Sequence, residues 1–305
     1  MKQEAVEFAL DYLLDVDDLR ACALVCKAWC AAVERSLPYK ALCYARKQNC
    51  QWLHRHCVSS TTLDHNSLKV LCKLGDVRLC EWLHQRLGLG KTEIVDNDCF
   101  LLRTSCEQGN LAAAKWLTNT FSLDGNHARS SDNYCFRAAC ESGHLPVCQW
   151  LHLRFSLGAD DVRSLDNYSL RRACVGGHLH VCTWLHSTFR LTAEDGKASH
   201  NYCFRRAAAE GHLLICQWLT ATFQLTADDA RDDENFAFCN ACCNGHLELC
   251  QWLVEQFQFR KKEIVDLMPY LQRWAAPAVL NWLRQTFSLD CTLSQHLPVA
   301  VTDGK

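Results

Sequence analysis

The sequence lacks an excess of charge of either sign. Its 32 lysines and arginines are balanced by 34 aspartates and glutamates, which gives a formal net charge of −2. A surface that attracts nucleic acid or an anionic membrane without specific contacts needs a strong basic excess. We therefore expect neither nucleic acid nor a membrane among the partners of this chain.

Long apolar runs are also missing. No stretch approaches the roughly 18 apolar residues that a membrane-spanning helix requires. The first ten residues, MKQEAVEFAL, have neither the basic start nor the apolar run of a signal peptide. These absences predict a soluble protein of the cytoplasm, which would be the host cytoplasm if the chain is viral, with the nucleus also possible.

The motifs of common catalytic sites do not occur. The chain contains no G-x-x-x-x-G-K-[ST] phosphate loop, no G-x-S-x-G elbow and no H-E-x-x-H helix. Histidine is plentiful, but four histidines occupy one recurring position, directly after a glycine: His144, His178, His212 and His246. A position repeated in successive units is structural by default, so we expect these imidazoles to bond to turn backbone. The sequence predicts no enzyme and no cofactor.

What the sequence does contain is a repeat of 34 residues. Six tryptophans are spaced at this interval: Trp82, Trp116, Trp150, Trp184, Trp218 and Trp252. Seven residues before each stands a glycine, as Gly143 precedes Trp150, and five after each stands phenylalanine, as at Phe155, or Leu87 in the first copy. A fixed period of this length indicates stacked supersecondary units that share a core.

Each repeat predicts two short helices. Residues 133–142 contain no proline or glycine, and Gly143 then breaks the helix, as glycine commonly does just past a helix end. Pro146 suits the first turn of the next helix, where its missing N–H would be unpaired in any case. The spacing of four large side chains places them on one face of that helix: Val147, Trp150, Leu151 and Phe155.

A third helical element is predicted between repeats. Thr192 and Thr226 are each followed by alanine and then two acidic residues. A threonine followed by acids is typical of a helix N-cap with acids in the first turn. The pattern therefore predicts a short third helix or a turn after each of these threonines.

The 22 cysteines are explained mostly by two recurring positions. One lies two residues before the tryptophan (Cys80, Cys148, Cys182, Cys216, Cys250) and the other ten residues before it (Cys72, Cys106, Cys140, Cys174, Cys242). Ala114 and Ala208 occupy these positions in other copies, which indicates small buried sites where a thiol acts as a small hydrophobe. A disulfide framework, a zinc site on Cys140, His144 and Cys148, and redox chemistry are the alternatives. We expect no metal, because the second copy has Asn110 and Ala114 in place of two ligands.

The repeats resemble the ankyrin family. The run A-A-C-E-S-G-H-L over residues 138–145, followed by Val147, Trp150 and Leu151, is similar to the core of that family, with Trp150 and Leu151 at its leucine pair. The match recurs in six copies and covers roughly residues 60–260. The resemblance implies an all-α, ankyrin-like helical-repeat solenoid with Gly143, His144, Trp150 and Phe155 as its structural signature. Degenerate units around Trp52 and Trp282 extend the array to residues 45–290, and residues 291–305 are expected to form a disordered tail.

Residues 1–44 do not follow the 34-residue period and resemble an F-box. A helix ending in Tyr12-Leu13-Leu14 precedes an acidic turn, and then comes the run L-V-C-K-A-W over residues 24–29. The resemblance implies docking onto a Skp-type adaptor of a cullin–RING ubiquitin ligase through Leu19, Leu24, Val25 and Trp29. The alternative is that these helices only cap the open apolar end of the array.

Two further positions stand out within the repeats. Six residues before five of the six glycines lies a basic residue: Lys69, Arg103, Arg137, Arg171 or Arg205. We expect this arginine ladder to bond neighbouring repeats, the alternative being a basic strip for an acidic partner. The next residue varies, being Thr104, Ala138, Arg172, Arg206 or Asn240, and this variable slot predicts a solvent-facing position. We place target binding there, at Arg172, Arg206 and Asn240 on the concave face.

The sequence thus predicts a protein–protein interaction adaptor. The repeats would bind a target protein, while the F-box-like segment would recruit a Skp/cullin ubiquitin ligase. A plain ankyrin-type scaffold with a helical cap is one alternative, and a cysteine-based metal- or redox-responsive protein is another.

Overall fold

The computed structural model describes Cys72, Gly75 and residues 77–88 and 90–289, without the side chains of Leu79, Trp82, Leu83, Arg86, Leu87, Glu93, Asp96, Asn97 and Asp98. Every regular element in this part of the chain is an α-helix, which confirms the predicted all-α class. The chain divides into two compact units, Met1–Ser131 and Asp132–Lys305. The F-box-like segment with Leu19, Leu24, Val25 and Trp29, its boundary at residue 44 and the tail 291–305 lie outside the described residues.

In the first unit, three helices and the start of a fourth are described. Their bounds are α1 Val77–Leu87, α2 Lys91–Glu107, α3 Leu111–Thr120 and the beginning of α4 Gly125–Glu141. Helix α3 packs against both α1 and α2. Each period thus contains a long helix followed by a short one, where the sequence predicts two short helices and a third element between repeats.

The second unit continues the alternation of long and short helices. After the second half of α4 come α5 Leu145–Phe155, α6 Ala159–Val175, α7 Leu179–Phe189, α8 Ala193–Ala209, α9 Leu213–Phe223, α10 Ala227–Cys243, α11 Leu247–Phe257, α12 Lys261–Trp274 and α13 Pro277–Phe287. Each long helix from α6 to α10 packs on the short helix that follows it. The long helices also pack on one another in order, α6 on α8, α8 on α10 and α10 on α12. This is helical-repeat packing, in which each unit buries its apolar face against its neighbours.

The long helices are interrupted by a turn of left-handed residues. In α6, Ser164 is extended (φ −50°, ψ 142°) and the next three residues, 165–167, have φ values of 51°, 60° and 58°. The same turn interrupts α8 at residues 198–201 and α10 at residues 232–235. Its last position is asparagine in four repeats, Asn133, Asn167, Asn201 and Asn235, whereas Cys99 has a positive φ of 56° at the equivalent position of α2. Asparagine tolerates this region better than most side chains, so its 34-residue recurrence was a signal for the turn that sequence analysis missed.

Of the two predicted threonine caps, the hydroxyl cap forms at Thr226, whereas Thr192 is linked to its helix through Asp195. Helices α8 and α10 begin directly after Thr192 and Thr226, so the expected third helix forms the first turns of each long helix. The Thr226 hydroxyl accepts a hydrogen bond from the Asp229 N–H at 3.3 Å. The Asp195 carboxylate in turn accepts from the Thr192 N–H at 2.8 Å. Two otherwise unpaired backbone donors are satisfied in this way.

The core is built from the positions that the period predicts. All ten cysteines of the two recurring positions are fully buried, as are Val147 and Leu151, with Phe155 6 % exposed. This confirms the interpretation of these cysteines as small core residues. The degenerate last unit, α12 and α13, lacks the left-handed turn, and Ala275 stands in extended conformation where the regular repeats have glycine.

Candidate functional site

Successive repeats interlock through the glycine and the histidine of the signature. Gly143 has φ +75°, and a Cβ added to it would lie 2.5 Å from Nδ1 of His178, in the next repeat. Gly211 meets His246 at the same 2.5 Å. The glycine is therefore required twice, for its left-handed backbone and for the space that the next imidazole occupies.

The same histidines bond to backbone in the preceding repeat. Nε2 of His212 lies 2.9 Å from the carbonyl oxygen of Val175, and Nε2 of His246 lies 3.0 Å from that of Ala209. The predicted bonding of these imidazoles to backbone is confirmed, and the acceptor is 37 residues earlier in both cases. Burial lowers the pKa of His178, and the neighbouring imidazoles of His180, His144 and His212 lower it further.

Aromatic rings make a second connection between repeats. Within one repeat, the rings of Trp150 and Phe155 meet edge to face with centroids 5.7 Å apart. His152 of that repeat packs edge to face on Phe189 of the next, at 5.0 Å, and on Trp184 at 6.1 Å. These arrangements are the favourable ones for aromatic pairs, so Trp150 and Phe155 serve the packing of the array.

A third connection is a series of ion pairs that sequence analysis missed. Arg163 donates two hydrogen bonds of 2.9 Å to Asp195 in the next repeat. Lys197 donates to Asp229 at 2.8 Å, and Arg231 donates to Glu263 at 2.7 Å. In all three pairs the base lies 32 residues before the acid. The signal was therefore present in the sequence, although only the register of the stack identifies the partners.

These ion pairs shift the pKa of the acids. Burial alone would raise the pKa of Asp195, but hydrogen bonds from Arg163 and the Thr192 N–H outweigh it and lower the pKa. The hydrogen bond from Arg231 is the main cause that lowers the pKa of Glu263 to about 2. Each acid thus caps its own helix and binds a base of the preceding repeat.

The arginine ladder holds the left-handed turns. Arg171 donates to the carbonyl of Leu165 in its own turn and to the hydroxyl of Ser199 in the next, both at 3.1 Å. Arg205 makes the equivalent contacts: it donates to the carbonyl of His200 at 2.6 Å, in its own turn, and forms an ion pair with Asp233 in the next. The predicted structural role of the ladder is confirmed.

Between the arginines of the ladder stands a column of aromatic rings. Its members in the second unit are Tyr134, Tyr168, Tyr202 and Phe236. The guanidinium of Arg137 lies 4.7 Å from the ring centroid of Tyr168, and that of Arg171 lies 4.9 Å from Tyr202. Cation–π contacts of this kind hold both partners in place, so the tyrosines are fixed at the surface.

The variable slot is only partly open to solvent. The side chains of Arg172 and Arg206 are 33 % and 37 % exposed and pair with Glu141 and Glu210, respectively. The prediction of a uniformly solvent-facing slot is wrong at Ala138 and Thr104, which are 7 % and 2 % exposed. Short side chains do not reach past the packed helix surface, whereas the arginines do.

Together these side chains form what we call the tyrosine–arginine strip: Tyr168, Tyr202, Arg172, Arg206 and Asn240. Arg172 connects the variable slot to the aromatic column, since its guanidinium lies 5.8 Å from the Tyr168 ring. Within the described part of the chain the hydroxyls of Tyr168 and Tyr202 make no hydrogen bond, and neither is a buried atom. The side-chain amide of Asn240 donates a hydrogen bond to the carbonyl of Phe236, at 2.9 Å. The strip therefore presents hydrogen-bond donors and aromatic edges on a rigid support.

The described residues also bear on metal binding, membrane insertion and thiol reactivity. No group of three or more His, Cys, Asp or Glu side chains there is arranged to hold a metal ion. None of the helices described is long and apolar enough to cross a bilayer. Burial raises the pKa of the Cys140 and Cys174 thiols, which keeps them protonated and poorly nucleophilic.

Comparison with known proteins adds no relative. No protein-family profile matches the chain, and no curated protein matches it either.

Proposed function

We propose that this chain is a protein-interaction adaptor whose repeats bind a target protein. The observation that carries this proposal is the contrast between a constant frame and a variable slot. The residues that join repeats recur in kind, as Gly143 and His178 do, whereas the slot changes from Ala138 through Arg172 to Asn240. Repeat proteins build binding surfaces in this way, with specificity carried by the positions that the frame does not use.

The chemistry of the tyrosine–arginine strip suits a protein partner. Tyrosine and arginine are the residues most enriched in the energetically dominant parts of interfaces. The ion pairs of Arg172 and Arg206 lie at the surface, where such pairs contribute about 0–1 kcal/mol and exchange readily. A partner segment that offers carbonyl or carboxylate oxygens would bind the exposed guanidinium and phenol donors.

The second half of the proposal concerns residues 1–44. Their resemblance to an F-box supports recruitment of a Skp-type adaptor and a cullin through Leu19, Leu24, Val25 and Trp29. The bound target would then be presented for ubiquitylation. Arrangements that pair an F-box-like segment with ankyrin-like repeats join a ligase to a substrate, and a chain of this design needs no catalytic residues of its own.

A pull-down tests the adaptor half. The intact chain is incubated with a purified Skp-type adaptor and cullin, beside a Leu24→Asp/Trp29→Ala variant whose helicity is checked by circular dichroism. We expect the intact chain to retain the Skp-type adaptor and the cullin, and the folded variant to lose both. Absence of binding by the intact chain would make residues 1–44 a cap for the array and leave a scaffold whose repeats alone bind partners.

A further inference from the structure

We propose that three of the repeats each contain a dithiol that an oxidant of the peroxide class converts into a disulfide. The Sγ atoms of Cys140 and Cys148 lie 3.6 Å apart, those of Cys174 and Cys182 lie 3.7 Å apart, and those of Cys242 and Cys250 lie 3.6 Å apart. In each pair the two thiols are free and fully buried. This inference is independent of the proposed adaptor function.

The position of each pair is the same in its repeat. The first cysteine lies near the end of a long helix and the second lies eight residues later in the short helix, across the glycine–histidine turn. A disulfide requires an S–S separation of about 2.05 Å. The remaining gap of about 1.5 Å is smaller than the distance that an Sγ atom moves when its side chain changes rotamer.

The array contains its own control. Cys216 has Ala208 eight residues earlier, where the paired repeats have a second cysteine. Cys216 is as fully buried as the paired cysteines. It shares the environment of the dithiols but lacks this second thiol, so pairing and burial can be separated in one molecule.

The chemistry is a two-step oxidation. Peroxide converts one thiol into a sulfenic acid, RSH + H2O2 → RSOH + H2O, and the neighbouring thiol then condenses with it, RSOH + RSH → RSSR + H2O. Because burial raises the pKa of the Cys140 and Cys174 thiols, the first step is slow in the closed repeat. The reaction therefore proceeds when a repeat opens locally.

Closure would tie the two helices of a repeat together. A disulfide constrains the unfolded chain, so an oxidised repeat resists unfolding more than a reduced one. The consequence is a protein whose repeats become individually stapled under oxidising conditions, with no change in the surface that the strip presents.

The test uses the full chain, hydrogen peroxide and dimedone, which traps sulfenic acids, just below the unfolding temperature. Peptide mapping without reduction should find three bonds, Cys140–Cys148, Cys174–Cys182 and Cys242–Cys250. Dimedone should label Cys216 but not the six paired cysteines. The oxidised chain should also unfold at a temperature several degrees higher, and a reductant should reverse this shift.

A Cys148→Ala variant sharpens the test, because alanine occupies this position naturally at Ala114. This variant should lose one bond and gain dimedone label at Cys140. Three outcomes would overturn the proposal: dimedone labelling of the paired cysteines equal to that of Cys216, a Cys174–Cys203 bond in place of Cys174–Cys182, or no oxidation at any of these positions while the unfolded chain reacts fully.

Discussion

The glycine that precedes each histidine satisfies two demands with one residue. Its backbone is left-handed, at φ +75° in Gly143, and its missing Cβ leaves room for the imidazole of the next repeat. The glycine of one repeat therefore contacts the histidine of the next repeat, and not only the histidine that follows it in sequence. Asn110 holds the histidine position in the first unit and donates to the carbonyl of Cys72, at 3.0 Å.

Replacing this glycine tests the interlock. Gly143→Ala should destabilise the chain by about 1–3 kcal/mol, because alanine is strained in the left-handed region and its methyl group would collide with His178. Gly158→Ala is the matched control, since Gly158 has φ −100° and no atom within 4 Å of an added Cβ. Urea unfolding would measure both, and an equal effect of the two substitutions would contradict the interlock.

The histidines give a second prediction at the residue scale. The pKa of His178 is lowered from its ordinary value of 6.5 in the folded chain, so the unfolded chain binds the proton more readily. Its contribution to stability is therefore complete above pH 6.5 and is lost as the pH falls below that value.

Unfolding temperatures between pH 8 and pH 5 would measure this loss. His178→Gln, which cannot titrate, should show a flatter profile than the unchanged protein. His200→Gln is the control, because the side chain of His200 is 84 % exposed. A profile unchanged by His178→Gln but flattened by His200→Gln would show that the sensitive group lies elsewhere.

Most single-residue roles could be predicted where a residue acts within its own repeat. The buried cysteines, the breaking glycines and the threonine caps follow from local spacing. The partner of a side chain in the next repeat could not be predicted, because that requires the register in which the helices stack. For this reason the sequence does not identify Asp195 as the partner of Arg163, although a basic and an acidic residue recur at these two positions at 34-residue intervals.

At the level of helices, the ion pair between Arg163 and Asp195 joins α6 to α8. Asp195 is 8 % exposed at its side chain and also caps its own helix. A double-mutant cycle with Arg163→Ala and Asp195→Ala should give a coupling energy of about 1–3 kcal/mol, as for charged groups that are partly removed from water.

The control pair lies on one helix at the surface. Arg206 and Glu210 are four residues apart and are 37 % and 43 % exposed. Their cycle should give no more than about 0.5 kcal/mol. Equal coupling energies in the two cycles would contradict a special role for the pairs between repeats.

The helices themselves were predictable from their breaks and caps, but the left-handed turn inside the long helices was not. The pattern predicts a separate helical element after each capping threonine, but not the left-handed turn that joins it to the next helix, as at residues 165–167. The recurring asparagine is a local signal for this turn. The hydrogen bonds of Arg171 to Leu165 and to the turn of the next repeat also hold it, and those contacts require the register of the stack.

At the scale of the whole molecule, the adaptor proposal assigns two kinds of partner to two parts of the chain. Residues 1–44 would bind the Skp-type adaptor, while the tyrosine–arginine strip would bind the target. Neither set of contacts would use the glycine–histidine interlock or the ion pairs made by Arg163, Lys197 and Arg231. Substitutions in one part should therefore leave the other part able to bind.

Quantitative affinity capture from cells, with three forms of the chain, tests this claim most directly. The forms are the unchanged chain, the Leu24→Asp/Trp29→Ala variant and an Arg172→Ala/Arg206→Ala variant, with Arg154→Ala as the exposed control outside the strip. We predict that the first variant loses the Skp-type adaptor and cullin and keeps the other partners, and that the second variant does the reverse. If both variants lose the same proteins, or if neither variant loses any, the assignment of two partners to two parts of the chain is contradicted.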